Sequence, residues 1–201
     1  MKLYYSPGAC SLAVHIAAKE EGLALDLVRV DLKGHRTEHG EDFLRLNPKG
    51  YVPALGLDDG TLLTEIVAIL PFIADQKPEA GLAPPPQSMA RTRLLEWLAF
   101  LATELHKAFG PIFHHGDDTL EVEARDTIEK WLAYIADQLA DRDFLMGAHF
   151  TVADAYLFVI LRWCDIAKIP IGGFPVVAKY RARIAARPAV QAAMREERLK
   201  L

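Results

Sequence analysis

The feature that most constrains the fold is a proline-rich segment that separates two halves of different periodicity. The segment from Lys77 to Gln87 reads KPEAGLAPPPQ, and its prolines and glycine cannot continue a helix. Before it, extended and helical patterns alternate, whereas every segment after it has helical spacing. We therefore predict an α/β domain over residues 1–77, a linker over residues 78–87 and an all-helical domain over residues 88–201.

The first part of the α/β domain has the pattern of a βαβ unit. Lys2 to Tyr5 is typical of a strand, and a helix is predicted from about Cys10 to Glu21 after the breaker at residues 6–8. Asp26 to Asp31 then alternates polar and apolar side chains like a second strand. Such a crossover favours parallel pairing of the two strands. Residues 32–40 are polar and show no clear period.

The second part predicts a hairpin followed by a helix. Asn47 to Gly50 is a strong turn signal, and the apolar runs from Ala54 to Leu57 and from Thr61 to Thr64 flank a short polar turn. A helix is expected to begin near Glu65. Pro71 should kink or shorten that helix, because proline removes one backbone hydrogen bond.

The second domain consists of segments with helical spacing. Predicted helices span roughly Ser88 to His115, Thr119 to Asp141, Thr151 to Lys168 and Phe174 to Arg187, with a short final helix from Pro188. Gly110-Pro111 should bend the first of these. Thr151 and Asp154 have the spacing of a capping box, with a carboxylate where glutamate or glutamine is usual.

Composition excludes several classes of partner and site. The 201 residues carry a net charge of −4 without a continuous basic stripe, so nucleic acid is not expected as a partner. No apolar run reaches membrane-spanning length, and the N-terminus lacks a secretory signal, so we expect a cytoplasmic protein without membrane contact. The two cysteines, Cys10 and Cys164, exclude a disulfide framework.

Several motifs together resemble the glutathione transferases. They are Tyr5 to Ser11, Asn47 to Leu55, Leu63 to Glu65, Glu96-Trp97 with Ala102 to Lys107, and Phe150 to Tyr156. The resemblance covers the whole chain, and Cys10 combined with Glu104 to Lys107 is similar to the bacterial beta class. It implies the glutathione transferase fold, a thioredoxin-like α/β domain followed by an all-α domain, and it implies a homodimer with Glu104 near the interface or the partner's glutathione.

The resemblance assigns the reactive role to Cys10. A thiol at the first turn of a helix faces unpaired N–H groups and the positive end of the helix dipole, so we expect a lowered pKa. Cys10 then either stabilises the thiolate of glutathione or attacks and forms a mixed disulfide. Cys164, inside an apolar helix, is interpreted as structural.

The remaining site residues follow from the same resemblance. His106 would bind the sulfur, and glutathione would be the co-substrate, with no tightly bound cofactor. The residues expected to bind glutathione are Tyr5, His35, Tyr51, Val52, Pro53, Glu65, Ile66, Glu104 and Lys107. Glu65 would bind the ammonium, the helix N-terminus the carboxylate, and a cis Val52-Pro53 bond would present the Val52 backbone.

The electrophile pocket is expected to be apolar and to include Phe109, Phe113 and Trp163. Each of these is equally consistent with ordinary helical core. Without the resemblance, the simpler interpretations of other site residues are a helix cap for Glu65, a turn proline for Pro53 and a packing residue for His106.

Three positions depart from the beta-class pattern. That class usually has lysine at position 35, a small residue such as serine at 66 and asparagine at 99, where this chain has His35, Ile66 and Ala99. Loss of one charged hydrogen bond at Ile66 lowers affinity about ten- to a hundredfold. We therefore predict weak glutathione binding or a changed thiol ligand.

The same residues leave alternative functions open. The chain is predicted to be a detoxification enzyme that conjugates a small hydrophobic electrophile or exchanges disulfides. The alternatives are a binding protein with a degraded glutathione site and a glutathione-dependent isomerase or dehalogenase. His35 with His39, and His114-His115 with Asp117-Asp118, lack a third ligand at a diagnostic spacing, so no metal site is predicted.

Overall fold

A computed structural model describes residues 1–114 and 117–200 of the chain. The chain divides into two compact units. The N-terminal unit comprises Met1–Ala83 together with the segment that starts at Arg187, and the helical unit comprises Pro84–Ala186. Within the described residues, no helix is both long enough and apolar enough to cross a membrane.

The strands lie in the first third of the chain, and helices make up most of the rest. The strands are β1 (Lys2–Tyr5), β2 (Asp26–Asp31), β3 (Arg36–Thr37), β4 (Ala54–Gly56) and β5 (Leu62–Thr64). The helices are α1 (Ser11–Glu20), α2 (Phe43–Leu46), α3 (Ile66–Ala74), α4 (Met89–Phe100), α5 (Gly110–Phe113), α6 (Asp118–Gln138), α7 (Val152–Ile166), α8 (Pro175–Ala185) and α9 (Pro188–Glu196).

The sheet of the N-terminal unit has the strand order β3-β2-β1-β4-β5. β1 and β2 pair in parallel, and β4 and β5 form an antiparallel hairpin that pairs with β1. The predicted βαβ unit and hairpin are thus confirmed. β3 and α2 were not predicted, because elements of two and four residues are too short to show a period.

Helix α1 forms the centre of the N-terminal unit. Its residues from Ser11 to Ala18 are all buried, since β1, α3 and α9 each pack against it. The predicted inner face, which includes Leu12 and Ile16, is fully buried. A helix that is covered all round needs partners on more than one side, and α9 is one of them.

The C-terminal segment therefore packs with the N-terminal unit, although the sequence assigned residues 88–201 to one helical domain. Polar contacts hold it against α1. His15 lies 3.1 Å from Glu197 and 3.0 Å from Glu196 through its two ring nitrogens, and Arg187 forms a bidentate ion pair with Glu20. The sequence could not show this packing, because the pattern of α9 is that of any amphipathic helix.

The first long helix of the helical unit is interrupted. The predicted helix from Ser88 to His115 consists instead of α4, a π-helical segment at Leu101–His106 and the short α5. The interruption falls at Phe109, beside the predicted bend at Gly110. His115 lies outside the described residues.

A buried carboxylate organises the helical unit. Asp154 is fully buried and accepts hydrogen bonds from the backbone N–H and hydroxyl of Thr151, which confirms the predicted capping box. It also accepts from the Leu145 N–H and the Tyr180 hydroxyl, both at 2.8 Å. These four donors tie the loop before α7, the helix itself and α8 together.

Glu21, directly after α1, is a buried carboxylate that lacks the hydrogen-bond donors of Asp154. The residue is only 6% exposed, and neither carboxylate oxygen has a hydrogen-bond partner among the described residues. Lys77 donates to the Glu21 backbone carbonyl at 2.8 Å rather than to the carboxylate. Burial raises the pKa of Glu21 to about 7, helped by Glu79 and Asp75 and opposed by Lys77.

We expect Glu21→Gln to stabilise the protein above pH 7 and to change little below pH 4.5. Between these values the folded state holds a proton that the unfolded state releases, so wild-type stability falls as pH rises through about 7. At pH 8 the gain should be about 1–3 kcal/mol in the free energy of unfolding, measured by urea titration. Glu123→Gln, at an exposed position, is the control, and an equal gain at every pH would contradict the assignment.

Candidate active site

Cys10 lies at the N-terminal end of α1, as predicted. The residue is 8% exposed, and its thiol donates a hydrogen bond to the Val52 carbonyl oxygen at 3.3 Å. The predicted cis peptide bond between Val52 and Pro53 is present. The fold thus brings Cys10, Val52 and Pro53 together. The Val52 carbonyl, which was expected to face glutathione, accepts a hydrogen bond from the Cys10 thiol in this structure.

The predicted lowering of the Cys10 pKa is wrong. Burial raises the pKa of this thiol to about 12, although the backbone N–H groups of Cys10 and Ser11 act in the expected direction. Glu65 adds to the increase through its negative charge. Since burial outweighs the helix terminus, Cys10 is a neutral thiol near pH 7 and serves as a hydrogen-bond donor.

The loop before Cys10 is held by a residue from the far end of the chain. The Gly8 N–H donates to Glu197 Oε2 at 2.9 Å, while the other oxygen of this buried carboxylate faces His15. The Ser11 hydroxyl, at the start of α1, donates to the Ser6 carbonyl in this loop. Sequence reasoning missed Glu197, because no local pattern links it to position 8.

Glu65 precedes α3 in a strained backbone conformation. Its φ is 71° and its ψ is 121°, a region that costs a residue with a side chain of the order of 1–3 kcal/mol. The carboxylate accepts a hydrogen bond from Lys49 Nζ at 2.7 Å, and the same ammonium donates to the Thr64 hydroxyl at 3.1 Å. Lys49 is a second residue that sequence reasoning missed.

The other predicted binding residues of the N-terminal unit differ in exposure. Tyr51 is 73% exposed, whereas Ile66, the first residue of α3, is buried. Tyr5 ends β1 and is buried, and burial together with the charge of Glu197 raises the pKa of its hydroxyl. The structure thus leaves only the Tyr51 side chain largely open to solvent among these three.

His35 packs against the turn from Asn47 to Gly50. A methyl group on Gly50 would lie 2.9 Å from His35 Cε1, and Gly50 has a φ of 71°, so only glycine fits there. His35 itself has a φ of 50°, and its buried Nδ1 has no partner among the described residues. The turn and the His35 ring therefore pack closely against each other.

His106 ends the π-helical segment of the helical unit. Its Nδ1 lies 2.6 Å from the Tyr156 hydroxyl, and its ring packs edge-on against Trp163 at 4.6 Å. Burial lowers the pKa of His106 to about 4, with a smaller effect from Lys107, so the ring is neutral near pH 7. π-helical turns are rare in proteins, and those that occur often lie at functional sites. Neither the composition nor the periodicity of the sequence predicts this one.

The three residues predicted to form the electrophile pocket contact each other. Trp163 packs edge-on against Phe109 at 5.6 Å and Phe113 at 5.8 Å, and the two phenylalanine rings stack at 5.6 Å. Phe109 and Trp163 are buried, so both have the burial of core residues. Phe113 is half-buried and keeps part of its ring accessible.

The remaining positions lie on the exposed side of their helices. Glu104, Lys107 and Ala99 are exposed, and Glu104 accepts a hydrogen bond from the Thr103 hydroxyl at 3.3 Å. Among the described residues, no group of three histidine, cysteine or acidic side chains is arranged to bind a metal ion. His115, one of the histidines considered for metal binding, lies outside those residues.

Comparison with known proteins identifies the family. Models of the glutathione S-transferase N-terminal and C-terminal domains match residues 8–76 and 100–188. The glutathione S-transferase GstA of Escherichia coli O157:H7 is 48% identical over the whole of both chains. The chain belongs to the glutathione S-transferase family. The resemblance and the fold class expected from the sequence are thereby confirmed.

Solved structures place this family member beside bacterial relatives. A sphingomonad glutathione S-transferase complexed with glutathione is 49% identical, covers all of both chains and superposes with a TM-score of 0.96. The beta-class glutathione S-transferase of Sphingomonas chungbukensis is 47% identical over the same extent, with a TM-score of 0.97. The beta-class resemblance of the glutathione S-transferase is therefore confirmed as well.

We expect Glu65→Gly to be more stable than Glu65→Ala, the reverse of the order inside a helix. Glycine adopts a φ of 71° without strain, whereas alanine keeps the strain, so the difference should be about 1 kcal/mol or more. The free energy of unfolding from urea titration measures it. The same pair at Glu123, inside α6, should favour alanine, and a preference for alanine at position 65 would contradict the strain.

Proposed function

We propose that this glutathione S-transferase conjugates glutathione to small hydrophobic electrophiles, with Cys10 as a neutral hydrogen-bond donor to the glutathione sulfur. The observation that carries this proposal is the buried Cys10 thiol at the N-terminal end of α1, which already donates to the Val52 carbonyl oxygen. Glutathione is the co-substrate, and detoxification of electrophiles in the cytoplasm is the expected role.

The two branches of Cys10 chemistry differ in the state of the thiol. Attack on a disulfide needs the Cys10 thiolate, which burial disfavours. A neutral S–H group instead donates to the thiolate of glutathione, which forms the new carbon–sulfur bond as the leaving group departs from the electrophile. The raised pKa therefore supports conjugation over disulfide exchange.

The N-terminal unit supplies groups suited to the peptide part of glutathione. Glu65 offers a carboxylate for the γ-glutamyl ammonium, and the first N–H groups of α3 suit the carboxylate beside it. Val52 offers backbone groups for the cysteinyl residue, and His35 and Tyr51 remain candidates for the glycyl end. Ile66 adds no hydroxyl to this set, so binding is expected to be weak.

The helical unit is proposed to supply His106, Lys107 and Phe113. The neutral His106 ring acts by hydrogen bonding rather than by charge, with Nδ1 already facing Tyr156. Lys107 is exposed and contributes the positive charge that His106 lacks. Phe113 is the accessible aromatic ring for the electrophile, while Phe109 and Trp163 support it from the core.

Cys10→Ser should retain most of the conjugating activity, whereas Cys10→Ala should lose about ten- to a hundredfold in kcat/KM. Serine keeps a hydroxyl donor, and a hydrogen bond to a charged partner is worth about 1.5–3 kcal/mol. Turnover with an aromatic halide and glutathione measures both variants. Equal loss in the two variants, with a glutathione adduct on wild-type Cys10 by intact-mass spectrometry, would favour the mixed-disulfide branch instead.

Binding is tested separately by calorimetric titration of reduced glutathione into the wild type and Ile66→Ser. Saturable binding that tightens about tenfold in the variant supports the proposed glutathione site. Binding restored only in Ile66→Ser would indicate a changed thiol ligand. Failure of both proteins to bind would favour the non-catalytic alternative.

We propose further that the protein is a homodimer formed through an aromatic groove on α4 and α6. Trp97, Phe100, Trp131 and Tyr134 pack against one another there, beside a groove of about 980 Å³. Tyr134 remains 41% exposed. The exposed ion pair between Arg93 and Glu96 suits a two-fold axis, because each charge can face its opposite on a second copy.

Trp97→Glu should convert the dimer to a monomer, because it places a charge in the proposed apolar contact. Size-exclusion chromatography with light scattering at micromolar concentration should give twice the 22.3 kDa chain mass for the wild type and that mass for the variant. Leu120→Glu, at an exposed apolar residue outside the groove, should remain dimeric. A monomeric wild type would contradict the proposal.

A further inference from the structure

The carboxylate proposed to bind the glutathione ammonium already binds an ammonium group of the protein. Lys49 Nζ lies 2.7 Å from Glu65 Oε1 and 3.1 Å from the Thr64 hydroxyl oxygen. Two oxygen acceptors thus converge on one protonated amine at the start of α3. This is the same chemical group that the γ-glutamyl end of glutathione presents.

The contact between Lys49 and Glu65 is open to solvent and therefore exchangeable. The two side chains are 52% and 65% exposed, and an exposed ion pair of this kind contributes little to stability. Lysine keeps its charge on a flexible four-carbon stem, so its ammonium can leave without moving the backbone. A ligand amine can consequently take its place at small cost.

We propose that Lys49 is the resident counter-ion of the Glu65 subsite and that the α-ammonium of glutathione displaces it on binding. This inference rests on the proposed function. Lys49 is a positioning and specificity-determining residue rather than a catalytic one, because it acts only through Glu65. It lowers the affinity of ligands that carry an amine, since two positive charges compete for one carboxylate.

The effect of Lys49 on binding affinity should depend on whether the ligand carries an α-amino group. A glutathione analogue without the α-amino group has nothing to exchange for Lys49, and its free carboxylate is attracted to the lysine. Loss of the Lys49 charge should therefore strengthen binding of glutathione and leave unchanged or weaken binding of the deamino analogue. A general structural defect would instead weaken both ligands.

The test is calorimetric titration of both ligands into the wild type, Lys49→Met and Lys49→Arg. Lys2→Met is the matched control, because Lys2 forms another exposed ion pair in the N-terminal unit, with Asp26 at 3.9 Å. Glu65→Gln and the double variant Glu65→Gln with Lys49→Met complete a cycle that isolates coupling between the two residues. Circular dichroism spectra establish that each variant is folded.

We expect Lys49→Met to bind glutathione about two- to fivefold more tightly, the range for loss of an exposed ion pair. Lys49→Arg and Lys2→Met should match the wild type, and the gain should vanish in the Glu65→Gln background. The deamino analogue should show no gain with any variant.

Three outcomes would overturn the inference in distinguishable ways. If the wild type binds glutathione but Lys49→Met binds it equally or more weakly, Lys49 does not compete for Glu65, and the proposed function stands. If neither the wild type nor any variant binds glutathione, the proposed function fails and this inference fails with it. A gain that persists in the Glu65→Gln background would also exclude action through Glu65.

Discussion

The arrangement of the N-terminal unit depends on the burial of α1 from Ser11 to Ala18. This helix is covered by β1, α3 and α9. Burial raises the pKa of the residue at each end, Cys10 at the start and Glu21 just past the end. α9 arrives from the far end of the chain and brings Glu197, whose carboxylate binds both His15 and the Gly8 N–H. The loop that positions Cys10 is therefore fixed by the segment that completes the burial of α1.

Burial also sets the charge state of the candidate site. A low-dielectric environment disfavours the charged form of any group, so it raises the pKa of the Cys10 thiol and lowers that of His106. Both groups are neutral near pH 7, in the N-terminal and the helical unit alike. The chemistry proposed for them is hydrogen bonding to the thiolate of glutathione, whereas the charged groups of the proposed site, such as Lys107 and Glu65, are exposed side chains.

The sequence predicted those parts of the fold that depend on local pattern. The βαβ unit, the hairpin and the capping box at Asp154 are present because turns, alternation and helix caps are encoded within a few residues. The cis bond at Pro53 was expected from the family resemblance instead, and it is present too. Features set by distant contacts were missed. The packing of α9 on α1, the pairing of Lys49 with Glu65 and the sign of the Cys10 pKa shift all depend on what the folded chain places around a residue.

Two residues proposed to bind the ligand, Glu65 and His35, are held in unfavourable local conformations. Glu65 keeps a φ of 71°, and His35 keeps a φ of 50° with a buried ring nitrogen that lacks a partner among the described residues. Each is tolerated because rigid neighbours determine the local backbone, namely α3 for Glu65 and the turn ending at Gly50 for His35. Lys49 belongs to that same turn, so the segment that holds His35 in place also delivers the ammonium that neutralises Glu65. One turn thereby contacts two residues proposed to bind glutathione, Glu65 at its γ-glutamyl end and His35 at its glycyl end.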